Sequence, residues 1–258
     1  MSVAIDLSGA SALVFGVANH RSIAWAIAER LHASGADLTI TYQNERMARG
    51  ATALVEGLER ARAVECDVLD EAAVAAAVEA ASAAAPLRAV VHSVAFANRE
   101  DLAPGAFGAT SAEGFRTALE VSAYSLLPVA RAAAARMTEG GSIVTLTFHG
   151  GEKVYPGYNV MGVAKSALEA SVRYLASELG ARGVRVNAVS AGPLNTLAAR
   201  GIGGFTEMQR VHAERAPLKR NVTQEEVGGA ALFLASGLAS GITGSVVYVD
   251  AGYHVMGA

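Results

Sequence analysis

The chain has 258 residues, one cysteine and a formal charge of −3 from 21 basic and 24 acidic side chains. That length carries one large domain or two small ones around a sizeable core, and excludes a disulfide-stapled mini-protein. Hydrophobic residues make up 52% of the chain but aromatics only 6%, an aliphatic balance that excludes disorder and suits a sheet covered by helices; charges of both signs without a long run give no footprint for nucleic acid. Residues 1–9 lack a basic stretch followed by an apolar one, and charge interrupts each Ala-rich segment, as at Glu71 and Glu79. The expectation is a soluble cytoplasmic protein without membrane association.

Seven β-rich runs follow one another along the chain, at 12–15, 37–42, 63–66, 89–92, 142–146, 184–189 and 246–249, with helical segments between them. Several are almost wholly apolar, as strands buried on both faces must be. The reading is α/β: a single doubly wound Rossmann-like domain over 1–258, with a seven-stranded, mainly parallel sheet and helices on both faces. Cys66 falls in one of these runs and reads as a small core residue. Thr110-Ser-Ala-Glu113 and Thr223-Gln-Glu-Glu226 have the spacing of capping boxes. From Tyr158 to Leu179 apolar residues recur at helical spacing, with Gly180 as the stop. Residues 196–205 are Ala- and Gly-rich like a mobile loop.

The first strand runs into Gly16, and Ser22 opens the next helix. A strand, a loop and a helix N-terminus in this order either cradle a pyrophosphate or form an ordinary turn; Gly-x-Gly-x-x-Gly is absent, and Ser22 fits a cap as well as a phosphate ligand. Where a ribose-binding acid is common, after the second strand, stands Tyr42-Gln43-Asn44. Gln43 is either a ribose ligand or a solvated loop residue. Asp67 and Val68, after the third strand, either bracket an adenine or leave Asp67 capping the helix that starts near Asp70. Tyr158 and Lys165 are seven positions apart, about two turns, which predicts one face of one helix. Such a pair can polarise a carbonyl and hold a ribose, or it is a packed Tyr and a solvated Lys. Tyr155, just before Pro156, is placed in the loop ahead of that helix.

With these segments in view, the chain resembles the NADH-dependent enoyl-acyl-carrier-protein reductases of bacterial fatty-acid synthesis, a divergent branch of the short-chain dehydrogenase/reductase superfamily. The resemblance runs nearly end to end. It rests on Gly16-Val-Ala-Asn-His-Arg-Ser22-Ile-Ala, Thr41-Tyr-Gln-Asn44, Cys66-Asp-Val68, His92-Ser-Val-Ala-Phe-Ala97, Tyr158-Asn-Val-Met-Gly-Val-Ala-Lys165, Arg185-Val-Asn-Ala-Val-Ser-Ala-Gly-Pro193 and Val247-Tyr-Val-Asp-Ala-Gly252. Most short-chain reductases carry Tyr-x-x-x-Lys; here the fourth residue after Tyr158 is Gly162, and the longer gap to Lys165 marks the enoyl branch.

The resemblance implies reduction of a trans-2-enoyl thioester at C3 by hydride from NADH, with Tyr158 and Lys165 as catalytic residues. It implies that Gly16, Ser22 and Ile23 hold the pyrophosphate, that Gln43, Asp67 and Val68 hold the adenosine, and that Ser93 and Val94 line the cofactor. Lys165 is then the ligand of the nicotinamide ribose, and Leu194, Asn195, Thr196, Leu197 and Ala198 contact the nicotinamide end. Ala97, Phe148, Tyr158 and Met208 face the substrate, under a mobile lid at about 196–216. Acyl carrier protein is the implied partner and a homotetramer the implied assembly; no metal is implied.

Two positions depart from the pattern. Phe148 stands where many members have a second tyrosine, and Asn195 where several have arginine. In an extended segment Phe148 and His149 would face opposite ways. Arg200, Arg210, Arg215, Lys219 and Arg220 follow the lid and are either a patch for an acidic carrier protein or scattered surface charge. A carbonyl-reducing short-chain enzyme and a non-catalytic dinucleotide sensor are the competing readings; the first lacks its Tyr-x-x-x-Lys spacing, and the second needs neither Tyr158 nor Lys165.

Overall fold

The computed structural model describes residues 5–196 and 204–257. Its strands are β1 (Ser11–Phe15), β2 (Asp37–Tyr42), β3 (Ala61–Glu65), β4 (Leu87–His92), β5 (Gly141–Thr147), β6 (Val184–Ala191) and β7 (Val246–Val249). They form one sheet in the order β3-β2-β1-β4-β5-β6-β7. Every pair is parallel, so all seven strands end on the same edge, and the order reverses between β1 and β4.

The sheet is apolar on both faces. On β1, Ala12 and Val14 belong to one core, with Ile27, Leu31 and Leu234, while Leu13 and Phe15 belong to the other, with Val129, Leu168 and Val186. Alternation along a pleated strand sends successive side chains to opposite layers. The first layer holds α1 (Ile23–Ala33), α2 (Glu45–Val55) and α8 (Gln224–Ala235); the second holds α3 (Glu71–Ser82), α5 (Leu126–Arg136) and α6 (Val160–Leu179). Helix α4 (Ala112–Leu119) precedes α5, and α7 (Phe205–Arg215) precedes α8. Among the described residues no helix is long and apolar enough to cross a membrane. Cys66, one residue past β3, is buried, and burial pushes its thiol up to about 12.

The helix boundaries follow their caps. Ser22 accepts from the Trp25 amide at 3.2 Å, and Thr223 with Glu226 forms the reciprocal capping box that the sequence predicts. The box expected at Thr110 is corrected: Ser111 is the cap of α4 and accepts from the Gly114 amide at 3.0 Å, which leaves Thr110 outside the helix. The expected helix from Tyr158 also starts later. Asn159 takes a φ of 43°, outside the helical range, while its side-chain amide donates to the carbonyls of Asp101 and Ala103 at 2.9 and 2.8 Å. Tyr158 therefore lies in the turn before α6, whose first residue is Val160, and does not share a helix with Lys165.

Candidate active site

Because the sheet is wholly parallel, the segments that leave its carboxyl ends converge on one rim, where open α/β sheets bind their ligands. Gly16 follows β1, Gln43 follows β2, Asp67 lies just beyond β3, Ser93 follows β4, Phe148 follows β5 and Leu194 lies beyond β6. The rim thus carries most of the residues singled out in the sequence.

At the reversal between β1 and β4, Gly16 has a φ of +89° and no room for a side chain. A Cβ there would sit 2.8 Å from the Ser93 carbonyl carbon, closer still to its oxygen, and 3.3 Å from Val94. Gly16, Ser93 and Val94 are therefore one tight unit, a backbone surface that a flat or extended ligand can approach closely. Ser22 is engaged with the chain itself: its Oγ donates to the Asn19 carbonyl at 2.7 Å and caps α1. Ile23 is the first residue of α1, so its amide lies at the positive end of the helix. Across the rim, Gln43 Nε2 donates to Asp67 Oδ2 at 3.2 Å. Asp67 is not the cap of α3; Asp70 takes that role, accepting from Ala72 and Ala73. Val68 is buried in the core of the second layer.

A second cluster is built around the turn His149–Gly151 that follows β5. Glycines are required here by neighbours: a Cβ on Gly150 would lie 2.5 Å from the Tyr158 ring, and one on Gly151 would lie 2.9 Å from Glu169 Oε1 and 3.2 Å from the Lys165 backbone. Tyr158 is buried to 7% exposure, in a small apolar group with Leu102 and Met161 against which Ala97 and Phe148 pack. Phe148 meets it edge-on, with ring centroids 5.0 Å apart. Burial raises the Tyr158 hydroxyl well above the ordinary tyrosine range, so it is a proton-bearing donor at neutral pH.

Lys165 is 5% exposed and its Nζ donates to the Leu146 carbonyl at 2.7 Å. An ammonium has three donors, so two remain for a ligand's hydroxyls. Burial pushes Lys165 down to about 8, opposed by the Glu169 carboxylate. His92, at the end of β4, is buried between Thr145 Oγ1 at 3.0 Å and Ser125 Oγ at 2.8 Å. Burial and then the Lys165 charge push it down to about 3, so it stays neutral.

Phe148 and His149 do not part as an extended strand requires, because the chain turns at His149. Both meet Tyr155: Phe148 through its ring at 4.7 Å, His149 through Nδ1 at 3.0 Å from the phenol oxygen. His212 Nε2, on α7, approaches the same oxygen at 3.3 Å, and its ring stacks on Tyr253 at 3.6 Å. One phenol proton serves one imidazole while the other imidazole donates. Tyr155 thus ties α7 to the turn after β5. Tyr155→Phe should cost about 1–3 kcal/mol through the buried nitrogens it strands; urea unfolding with an unchanged midpoint would contradict this.

Met208 lines a cavity of about 700 Å³ with His149, Tyr155, Val211, His212 and Tyr253. Tyr158 does not line that cavity. Leu194 is buried, Asn195 is exposed, and the Thr196 amide donates to the Leu194 carbonyl at 2.8 Å. Gln209 of α7 donates to the Pro193 carbonyl at 3.1 Å, which ties the same loop to α7. Leu197, Ala198 and Arg200 lie outside the described residues. Arg210 pairs with Glu207 and Glu214, and Arg220 with Glu226, so these cations are already engaged by acids on the chain. Sequence reasoning missed Glu169, Thr147 and the Tyr155 bridge. For Glu169 a signal was present: it stands four residues after Lys165 and so shares its face of the helix.

The family model described as Enoyl-(Acyl carrier protein) reductase matches residues 16–254. The enoyl-[acyl-carrier-protein] reductase [NADH] FabI of Bacillus cereus is 51% identical over 254 residues, covering 97% of this chain and 99% of that protein. The protein of the same name from Nostoc is 51% identical over 257 residues, covering 98% and 99%. Among solved structures, the Bacillus cereus enoyl-acyl carrier protein reductase with NADP+ and indole naphthyridinone superposes with a TM-score of 0.94 at 50% identity, covering 98% of this chain and all of that one (100%). The Anaplasma phagocytophilum enzyme in complex with NAD gives 0.93 at 44% identity, covering 100% and 98%. With the Tyr158 and Lys165 spacing, the parallel sheet and matches spanning nearly its whole length, the chain belongs to the enoyl-(acyl carrier protein) reductase family.

Proposed function

We propose that the chain reduces trans-2-enoyl groups carried as thioesters on acyl carrier protein, with NADH as reductant, the last reductive step of the fatty-acid elongation cycle. The observation that carries this reading is that two groups following β5 are both buried: a protonated phenol on Tyr158 and, on α6, an ammonium on Lys165 with two donors to spare. The rim fits a dinucleotide, since a Cβ at Gly16 would fill the cradle formed with Ser93 and Val94. Bound NADH supplies the hydride that adds to C3 of the enoyl group. Gly16, Ser22 and Ile23 hold the pyrophosphate, where the α1 N-terminus favours an anion. Gln43, Asp67 and Val68 hold the adenosine, and the Asp67 carboxylate beside Gln43 opposes a ribose 2′-phosphate, which favours NADH over NADPH. Ser93 and Val94, with 194–198, line the cofactor.

Lys165 fixes the nicotinamide ribose. Tyr158 donates to the thioester oxygen and stabilises the negative charge that collects there before C2 takes a proton. Phe148 has no proton to give; it holds the Tyr158 ring edge-on and, with Ala97, contributes apolar surface for the acyl group beside Tyr158, while Met208 contributes from the cavity it lines with Tyr155 and His212. Residues 196–216 act as the lid that excludes water over this site, within a single reductase domain. The same reading has the enzyme act in the cytoplasm as a homotetramer.

The deciding assay follows cofactor oxidation with NADH or NADPH against a trans-2-enoyl thioester or a 3-oxoacyl thioester. Turnover of the enoyl substrate with NADH is expected. Turnover of the 3-oxo substrate would instead identify a carbonyl reductase, and NADH binding without turnover a sensor.

A further inference from the structure

Glu169 is a carboxylate at 5% exposure in the second core layer, one turn along α6 from Lys165. Its Oε1 accepts from Thr147 Oγ1 at 2.6 Å. Two consecutive residues of β5 therefore grip two consecutive turns of α6: the Leu146 carbonyl takes the Lys165 ammonium, and the Thr147 hydroxyl takes Glu169. Gly151 lies against the same carboxylate and leaves it the space it occupies. Burying an acid here is costly, and a leucine would pack on this face without that cost. The charge needs a use.

The charged and titratable groups around it come from several elements. On α6 are Lys165 and Arg173, both of which favour the ionised carboxylate. From the loop after β5 comes Glu152, which opposes it and which accepts a hydrogen bond from Tyr248 of β7. Tyr158 and Tyr248 both feel the Glu169 charge, and His92 of β4 feels that of Lys165. Burial drives Glu169 upward, the Thr147 bond drives it back, and the carboxylate in turn opposes the loss of the Lys165 proton.

We propose that Glu169 is a positioning residue for the reductase: clamped by Thr147 to the end of β5 and one turn along α6 from Lys165, its carboxylate supports the ammonium that the Leu146 carbonyl holds, and through it the grip on the cofactor ribose. This rests on the reading of Lys165 as the ribose ligand. The test measures NADH affinity of the full chain by fluorescence titration between pH 6 and pH 9, for the wild type, Glu169→Gln and Lys165→Met.

Wild-type affinity is expected to fall as pH rises through about 8, where Lys165 gives up its proton. Glu169→Gln keeps the shape but removes the charge, so the fall moves to lower pH. A displacement of one unit makes binding equal at pH 6, about threefold weaker at pH 7.5 and nearly eightfold weaker at about pH 8.5. Thr147→Val removes only the clamp and should displace the midpoint in the same direction by less, which serves if the Gln variant fails to fold. A Glu169→Gln profile with an unmoved midpoint, whether or not affinity falls equally at every pH, makes Glu169 a packing residue and overturns the proposal. A Lys165→Met variant that binds NADH as the wild type does removes the ribose-ligand reading itself, and the proposal with it.

Discussion

Replacing Tyr158 with phenylalanine is expected to lower kcat for a trans-2-enoyl thioester by about two orders of magnitude, the usual loss when one donor to a developing oxyanion is removed. The expectation follows from isolation. Phe148 occupies the position beside Tyr158 where a second phenol could have substituted, and its ring carries no donor. Tyr155 is the next phenol in the cluster, but its oxygen is engaged with His149 and His212. The lost hydroxyl makes no hydrogen bond to another described residue, and the ring remains packed against Leu102 and Met161. Unfolding should therefore change by less than about 0.5 kcal/mol, and NADH affinity should stay level. That split separates chemistry from structure: retention of half of the wild-type kcat would transfer the role of oxyanion donor elsewhere, with the Tyr155 chain the first place to look.

What the sequence disclosed depended on how far apart the interacting residues lie. The seven strands were legible because burial on both faces leaves near-continuous aliphatic runs, a property of each segment alone. Alternation of strands and helices predicted a doubly wound sheet, whereas the place where its order reverses, between β1 and β4, is set by the strand pairing itself. The start of α6 was not legible: apolar spacing extends back to Tyr158, and the turn that breaks it is fixed by Asn159 reaching carbonyls at Asp101 and Ala103. The cap of α4 was ambiguous because Thr110 and Ser111 are adjacent hydroxyls, and backbone geometry chose between them.

Gln43 and Asp67 are 24 positions apart; Gln43 alone read equally as a loop residue and Asp67 equally as a helix cap, and the hydrogen bond between them exists only once β2 and β3 pair. Glu169 had the right spacing from Lys165, yet nothing local distinguishes a buried acid from an exposed one on an amphipathic helix. Its partner Thr147 comes from another element. Tyr155, placed correctly in the loop before α6, gave no sign of its two imidazole neighbours, since His212 arrives from a helix 57 positions further on.

The same dependence on distant neighbours makes Gly16 the most sensitive position on the rim. Its fingerprint is poor as a sequence, with no second or third glycine at the expected spacing, but two independent constraints meet there. The first is conformational: a φ of +89° is uncomfortable for any side chain. The second is steric, since β1 and β4 are adjacent parallel strands whose last residues, Phe15 and His92, are in register. The chain leaves both strands at the same level, and the Ser93 amide donates to the Phe15 carbonyl at 3.2 Å. Gly16→Ala would drive its Cβ into the Ser93 carbonyl, which is backbone and cannot swing away.

Relief requires parting the two central strands or moving the turn proposed to hold the pyrophosphate. A loss of about 3 kcal/mol or more in unfolding free energy is expected, together with at least about a tenfold loss of NADH affinity, the equivalent of 1.4 kcal/mol. Gly9→Ala is the control. Gly9 has a similar φ of +73° but open space where its Cβ would stand, so that variant carries the conformational cost of about 1 kcal/mol without the collision. The difference between the two measures the close approach of β1 and β4 alone. Equal losses would mean that the Ser93 carbonyl yields, and that Gly16 is there for its dihedral angle and not for the contact.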